Sequence, residues 1–178
     1  MATGKYREPS SSPFSRYKYQ VFLSFRGEDT RKNFTDHLYT ELIKAGIHTF
    51  RDDDEIQRGE NIELELQLAI QQSKIFLIVF SKHYAYSRWC LDELVMIMKR
   101  KRTSGCIVLP VFYDVDPSQV RKQTGRFAAA FVEHEKRFKE VMEQVNGWRI
   151  ALKKVADLAG MVLGDGLLNV DLFFNKTI

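Results

Sequence analysis

The chain has 178 residues, of which 44% are hydrophobic and 28% charged, and its formal net charge is +4. This length favours one domain with a substantial core, and the hydrophobic content excludes a mainly disordered chain. The charge is too small to indicate a nucleic-acid partner, and no apolar segment is long enough to cross a bilayer. Cys90 and Cys106 lack CxxC spacing. We therefore expect a reduced, cytoplasmic protein, with the nucleus as an alternative compartment.

The chain is expected to comprise a leader, a folded domain and a tail. Residues 1–16 are rich in Ser and Pro and are predicted to be a flexible leader. Residues 17–163 alternate between strand-like and helical patterns, whereas residues 164–178 show no clear period and their structure stays open. The alternation predicts an α/β fold with a parallel sheet that helices cover on both faces.

The predicted elements follow in chain order. Strands are predicted at residues 20–25, 47–50, 75–80, 107–113 and 161–163, and the uninterrupted apolar run at 75–80 is typical of a strand buried on both faces. A helix over 31–45 carries the stripe Phe34, Leu38, Leu42 and Ala45. Further helices are predicted at 62–72, 87–101, after Pro117, over 125–145, and along a stripe of Trp148, Leu152, Val155, Ala156 and Ala159.

The carboxyl ends of neighbouring parallel strands meet at one edge of a sheet, where ligands bind in α/β folds. Arg26 follows the first predicted strand, Asp52 follows the second, and the helix after the third carries Glu93. We therefore expect Arg26, Asp52 and Glu93 to converge at this edge.

Glu93 occupies an ambiguous position on its helix. The expected core stripe is Leu91, Leu94, Val95 and Met98, and helical spacing places Glu93 off this stripe, where a solvated Glu is the common outcome. The same outward face nevertheless carries Trp89 and Ile97, as on a helix that borders a cleft. Beside an indole, low polarity would disfavour the ionised carboxylate and shift its pKa.

The charged segment 51–60 also has two interpretations. A run of acids is ordinarily a solvated loop, but Gly59 would permit a mobile lid on which Arg58 meets a phosphate. Asp52, Asp53 and Asp54 are similar to magnesium-binding clusters, yet Phe25 and Arg26 stand where such a site needs further acids. No histidine spacing indicates a metal either, so no metal site is expected.

Asp36 and His37 lie off the apolar stripe of the first predicted helix and should be exposed. They are interpreted as an ordinary polar surface or as a self-association patch.

Four segments together resemble one family. Residues 19–31 (YQVFLSFRGEDTR), 50–60, 81–94 (with SRWCLDEL) and 109–118 (LPVFYDVDPS) resemble, in order, the motifs of plant TIR (Toll/interleukin-1 receptor) domains. The resemblance covers about residues 17–163, the expected TIR domain. It is strongest to the amino-terminal domain of plant nucleotide-binding, leucine-rich-repeat immune receptors, and whether the chain is a receptor fragment, a truncated form or a free-standing protein stays open.

The resemblance implies a flavodoxin-like, three-layer fold with five parallel strands. It also implies an NAD⁺ hydrolase of innate immunity and cell death that is active when self-associated, with NAD⁺ or NADP⁺ as substrate and no cofactor. Glu93 corresponds to the family's catalytic residue. The residues implied to bind substrate are Phe25, Arg26, Arg31, Arg58, Ser87 and Trp89.

The family's first-helix interface often carries Ser-His, where this chain has Asp36 and His37, so these residues are implied in self-association and in contacts with other TIR domains. A non-enzymatic TIR adaptor is the alternative function. A phospho-accepting domain of similar fold is disfavoured because the acids after the first strand are missing.

Overall fold

The structure is a computed structural model that describes residues 17–51 and 60–163. It forms a five-stranded sheet whose strands are β1 (Tyr19–Phe25), β2 (Thr49–Arg51), β3 (Ser73–Phe80), β4 (Ile107–Tyr113) and β5 (Met161–Leu163). Its helices are α1 (Gly27–Thr30), α2 (Asp36–Lys44), α3 (Glu60–Gln71), α4 (Arg88–Ser104), α5 (Pro117–Lys122), α6 (Arg126–Arg137) and α7 (Met142–Ala156). The predictions for residues 52–59, for the leader and for the tail lie outside the described residues.

All strands are parallel and lie in the order β2-β1-β3-β4-β5. The predicted α/β fold with a five-stranded parallel sheet is therefore confirmed. The strand order reverses between β1 and β3, and in such sheets a crevice opens at this point beyond the carboxyl ends of the strands. The register pairs Phe25 with Val79, so these two strands end side by side.

The two faces of the sheet carry separate apolar cores because alternate side chains of each strand point to opposite faces. Phe22, Phe76 and Ile78 belong to the larger core, on the face packed by α3, α4, α6 and α7. Leu23 and Leu77 belong to the smaller core on the other face. It includes Phe34, Leu38 and Leu42, which lie on α2 and on the π-helical turn Arg31–Thr35 before it.

The helix predicted over 125–145 is interrupted. Helix α6 ends at Arg137, a 3₁₀ turn spans Lys139–Val141, and α7 starts at Met142. The break places the Phe138 ring edge-on against Trp148, with 5.4 Å between ring centroids. Packing of this aromatic pair overrides local helix propensity, which continues through the segment.

Helix α7 buries most of its predicted stripe, namely Trp148, Leu152, Val155 and Ala156. Ala159 is exposed because the helix ends before it, and Ala45 is exposed for the same reason after α2. Among the described residues, no helix has the length and apolar character needed to span a membrane.

Candidate functional site

The candidate site lies where β1 and β3 end and α4 begins. Helix α4 begins at Arg88 after Ser87, whose hydroxyl accepts a hydrogen bond from the Cys90 N–H at 3.3 Å. A serine cap satisfies a backbone donor that the first helical turn leaves unpaired. In this structure Ser87, one of the predicted substrate-binding residues, is the residue that starts the helix carrying Glu93.

The Glu93 side chain is buried against β1, with only 3% of its surface exposed. The Ser24 hydroxyl in β1 donates to Glu93 Oε2 at 2.9 Å, and the Tyr84 hydroxyl lies 2.9 Å from Ser24 Oγ. Tyr84 also donates to the Cys90 carbonyl at 3.2 Å. A carboxylate, two hydroxyls and a backbone carbonyl thus form one polar cluster inside the core.

The expectation that Glu93 points away from the core was wrong, and so was the placement of Ile97 on an outward face. The buried residues of α4 are Cys90, Leu91, Glu93, Leu94 and Ile97, whereas Val95 and Met98 are half-buried. The buried face is therefore turned about the helix axis from the predicted stripe. Contacts with α7 accompany this rotation of the buried face. Asp92 accepts hydrogen bonds from Trp148 Nε1 at 2.8 Å and Gln144 Nε2 at 3.2 Å, and these bonds fix α4 against α7.

Phe25 and Arg31 lie beside the first turn of α4. The Phe25 carbonyl accepts a hydrogen bond from the Cys90 thiol at 3.3 Å, and the Arg31 guanidinium lies 5.4 Å from the centroid of the Phe25 ring. Because successive side chains of a strand point to opposite faces, the Phe25 ring belongs to the smaller core, whereas the Ser24 side chain meets Glu93 on the side of α4. The structure therefore brings the Phe25 backbone to the first turn of α4, but the Phe25 ring and the Arg31 guanidinium beside it lie on the other face of the sheet from the Glu93 carboxylate.

Arg26 is directed into an ion pair beside this cluster. Its guanidinium donates to Asp29 Oδ1 at 2.6 Å and to Glu28. Any contact between Arg26 and a ligand would compete with these carboxylates. The predicted partner from the second strand, Asp52, lies outside the described residues, and so does Arg58.

An acidic network that the sequence analysis missed bridges the ends of β1 and β3. Asp29 Oδ2 accepts from Ser81 Oγ at 2.6 Å and from the His83 N–H at 3.0 Å, and Asp29 Oδ1 lies 3.2 Å from His83 Nδ1. Burial pushes the Asp29 pKa upward, but hydrogen bonds from Ser81 and the charge of Arg26 outweigh it and lower the pKa below the usual value. The sequence did contain a signal for this network. Asp29 is an acid that follows the first strand, and Ser81 and His83 are polar residues that follow the third strand, so their side chains meet at the same edge of the sheet.

This network borders a small cleft of about 230 Å³, lined by Asp29, Ser81, Lys82, His83, Tyr113 and Asp114. The His83 Nε2 atom lies 2.7 Å from a guanidinium nitrogen of Arg126, which can only donate. The two ring nitrogens of His83 therefore lie between Asp29 on one side and Arg126 on the other.

Trp89 faces a different cavity from the one that borders Asp29. Its indole is 38% exposed and lines a groove of about 920 Å³ between α3, α4 and α7, together with Leu66, Asp92 and Met96. The indole thus faces neighbouring helices, whereas the Glu93 carboxylate faces β1. Among the described residues that line this groove, Glu93 is not included.

Asp36 and His37 are both exposed at the start of α2, as predicted. Asp36 Oδ1 accepts a hydrogen bond from Arg51 at 2.9 Å, and the Arg51 guanidinium lies 4.3 Å above the Tyr39 ring. Within residues 17–51 and 60–163, no cluster of His, Cys, Asp or Glu is arranged to hold a metal ion.

The sheet order and the acid that α4 places against the end of β1 define a flavodoxin-like α/β domain with a carboxylate at its switch point. The model of the TIR domain family matches residues 18–171. The chain belongs to the TIR domain family.

The relatives are plant disease-resistance proteins. The chain is 54% identical over 151 residues to TMV resistance protein N of Nicotiana glutinosa, covering 85% of this chain and 13% of that protein. It is 51% identical over 168 residues to disease resistance protein RPV1 of Vitis rotundifolia, covering 92% of this chain and 12% of that protein. The chain therefore spans only about an eighth of the length of these relatives.

A solved structure gives a similar result. The TIR domains in the activated Roq1 resistosome, which directly recognises the pathogen effector XopQ, superpose with a TM-score of 0.81 and 47% sequence identity. The match covers 90% of this chain and all of that chain, which confirms the α/β TIR fold.

Proposed function

We propose that the chain is an NAD⁺ hydrolase domain of plant innate immunity. It would cleave the bond between nicotinamide and ribose and release nicotinamide with ADP-ribose or a cyclic variant of it. The observation that carries the proposal is the Glu93 carboxylate, which Ser24 and Tyr84 hold at the β1/β3 switch point inside an apolar core. A buried acid is costly to fold and is therefore a characteristic of functional sites.

The chemistry needs little beyond a well-placed carboxylate. The pyridinium of NAD⁺ is already a good leaving group, and its departure leaves an oxocarbenium-like ribose. Glu93 would stabilise the developing positive charge, and water would then add to the ribose carbon and lose a proton. Phe25 and Arg31, which contact each other at the end of β1, would hold an aromatic ring or a phosphate of the substrate once the site opens.

Self-association belongs to the same proposal. A carboxylate with 3% of its surface exposed has no room for a ribose, so the chain must change conformation before Glu93 can contact the substrate. Contacts between copies favour the open conformation if they bind it more tightly than the closed one. Exposed Asp36 and His37 on α2 are the residues assigned to this contact. The similar TIR domains of Roq1 are those of an activated resistosome.

The burial of Glu93 also favours a second candidate function, a non-enzymatic adaptor that signals by binding other TIR domains. In an adaptor, Glu93 would serve only to anchor α4 on β1. Both functions place the chain in cytoplasmic defence signalling, and they differ in whether NAD⁺ is consumed.

Nicotinamide release from NAD⁺, followed by chromatography at high protein concentration, separates the two functions. We expect the wild-type chain to release nicotinamide, and Glu93→Ala and Glu93→Gln to lower the rate by about 100-fold or more while keeping the fold. Glu133→Gln changes an exposed glutamate on α6 and is the matched control. A folded Glu93→Ala protein with the wild-type rate would exclude the proposed role of Glu93, and an inactive wild-type chain would favour the adaptor.

Dilution tests the self-association step. The rate per chain should fall on dilution, and His37→Ala should lower both assembly and rate without unfolding the monomer. Lys136→Ala, an exposed change on α6, is the control. A rate per chain that stays constant from high to low concentration would contradict the scheme.

A further inference from the structure

Beyond the acid itself, the polar groups that surround Glu93 form an ordered chain. Ser24 and Tyr84 are fully buried, on β1 and on the 3₁₀ turn Tyr84–Tyr86 respectively. Their hydroxyl oxygens lie 2.9 Å apart, and Ser24 Oγ lies 2.9 Å from Glu93 Oε2. The three groups come from three separate elements, so their alignment depends on the tertiary fold.

Counting protons fixes the direction of the hydrogen bonds. The Ser24 hydroxyl has a single proton, and it donates this proton to Glu93 Oε2. The Ser24 oxygen must then accept from Tyr84, whose own proton is shared between Ser24 at 2.9 Å and the more distant Cys90 carbonyl at 3.2 Å. The order is Tyr84 to Ser24 to Glu93, with each donor polarised by the next.

Ionisation of Tyr84 would reverse this order, and its environment prevents that. Burial, together with the neighbouring Cys90 and Glu93, raises the pKa of Tyr84 well above its usual value. Because its pKa is raised, Tyr84 keeps its proton and remains a hydrogen-bond donor throughout the physiological pH range.

We infer that Ser24 and Tyr84 are positioning residues for Glu93: they hold its carboxylate ionised and in one orientation. This inference rests on the proposed catalytic role of Glu93. A donor to the charged form of an acid favours that form. Because Ser24 lies on β1 and contacts Tyr84 on the 3₁₀ turn after β3, it is held in place and restricts the rotation of the glutamate side chain. Neither hydroxyl is assigned a contact with the substrate.

The first test is steady-state NAD⁺ cleavage by the full chain at a fixed high concentration. We expect Ser24→Ala to lower kcat about 10- to 100-fold with little change in KM, because small misplacements of a reacting group have effects of this size. Tyr84→Phe, which removes one oxygen, should lower kcat about 3- to 10-fold in the same direction. Both variants should move the acid limb of the pH profile upward, since the carboxylate loses support for its charged form.

Ser73→Ala is the matched control. Ser73 is also a fully buried serine in a strand, and its hydroxyl donates to the Ala69 carbonyl at 2.6 Å, but it lies at the amino end of β3, at the opposite edge of the sheet. It should retain the wild-type kcat and pH profile. Wild-type kcat and pH profile in Ser24→Ala and Tyr84→Phe, alongside an inactive Glu93→Ala, would overturn the inference and leave the proposed function standing.

A second measurement needs no catalysis. Urea unfolding of Ser24→Ala, Glu93→Gln and the double variant forms a mutant cycle. The inference predicts that the two changes are not additive, because each removes the same charge-assisted hydrogen bond. Additive effects would overturn it, whether or not the wild-type chain cleaves NAD⁺.

Discussion

The Asp29 network allows a quantitative prediction about stability. Asp29 accepts hydrogen bonds from Arg26, Ser81 and His83 at 2.6–3.2 Å, and only 11% of its side chain is exposed. Hydrogen bonds to a charged group contribute about 1.5–3 kcal/mol each, and an amide in its place turns an NH₂ towards donors. Because these bonds share one carboxylate and are not additive, we expect Asp29→Asn to lower the free energy of unfolding by about 2–4 kcal/mol.

Urea unfolding followed by circular dichroism measures this loss. Asp36→Asn is the matched control, because the Asp36 side chain is 61% exposed and has an ion pair with Arg51 at the surface. Exposed pairs of this kind contribute about 0–1 kcal/mol. A difference below about 0.5 kcal/mol between wild type and Asp29→Asn would refute the reasoning.

The difference in the free energy of unfolding between wild type and Asp29→Asn should depend on pH. The Asp29 pKa is lowered in the folded state from its ordinary value of 3.8, so the carboxylate stabilises the fold above that pH. This contribution is lost as the pH falls below 3.8 and through the lower folded pKa. The gap between wild type and Asp29→Asn should therefore be present at pH 5 and should narrow on further acidification. A gap that stays unchanged down to the acid limit of folding would contradict the assignment.

Two glycines lead to opposite predictions in the same urea assay. A Cβ on Gly160 would lie 2.4 Å from the Pro110 carbonyl oxygen and 2.6 Å from its ring, so Gly160→Ala should push β5 from β4 and destabilise the chain by about 1–3 kcal/mol or more. A Cβ on Gly147 within α7 would meet nothing within 4 Å, so Gly147→Ala should stabilise by about 0.5–1 kcal/mol. Equal effects of the two changes would contradict both assignments.

Local patterns were sufficient for the order of the five strands and for the helices between them, apart from the short helix α1 and the break within the helix predicted over 125–145. The apolar run at 75–80 predicted the central strand β3, and Gly46, whose φ is +75°, ends the first helix as its position indicated. The boundaries of β4 and β5 agree with the prediction. The break at Phe138 did not follow from the sequence, because it depends on an aromatic contact with Trp148 across two helices.

The Asp29 network was missed for a related reason. Ser81 is 52 positions from Asp29, and no periodicity connects residues at that separation. Only the strand order places them together, because β1 and β3 become neighbours when β2 takes the outer position. The sequence thus indicated which edge of the sheet carries polar residues, but the contacts among them required the fold.

The orientation of Glu93 follows from hydrogen bonds on two faces of α4. Asp92 binds Trp148 of α7, whereas the next residue, Glu93, meets Ser24 of β1, so one helix has polar anchors on two faces. A hydrophobic stripe cannot reveal this arrangement, because polar residues count as solvent-facing in such a pattern. Burying a carboxylate costs several kcal/mol before its hydrogen bonds offset it, and an apolar side chain would pack there without that cost. This free-energy cost is understandable if position 93 is needed for the charge of its carboxylate. A residue that served only to pack α4 on the sheet would give no reason for the cost.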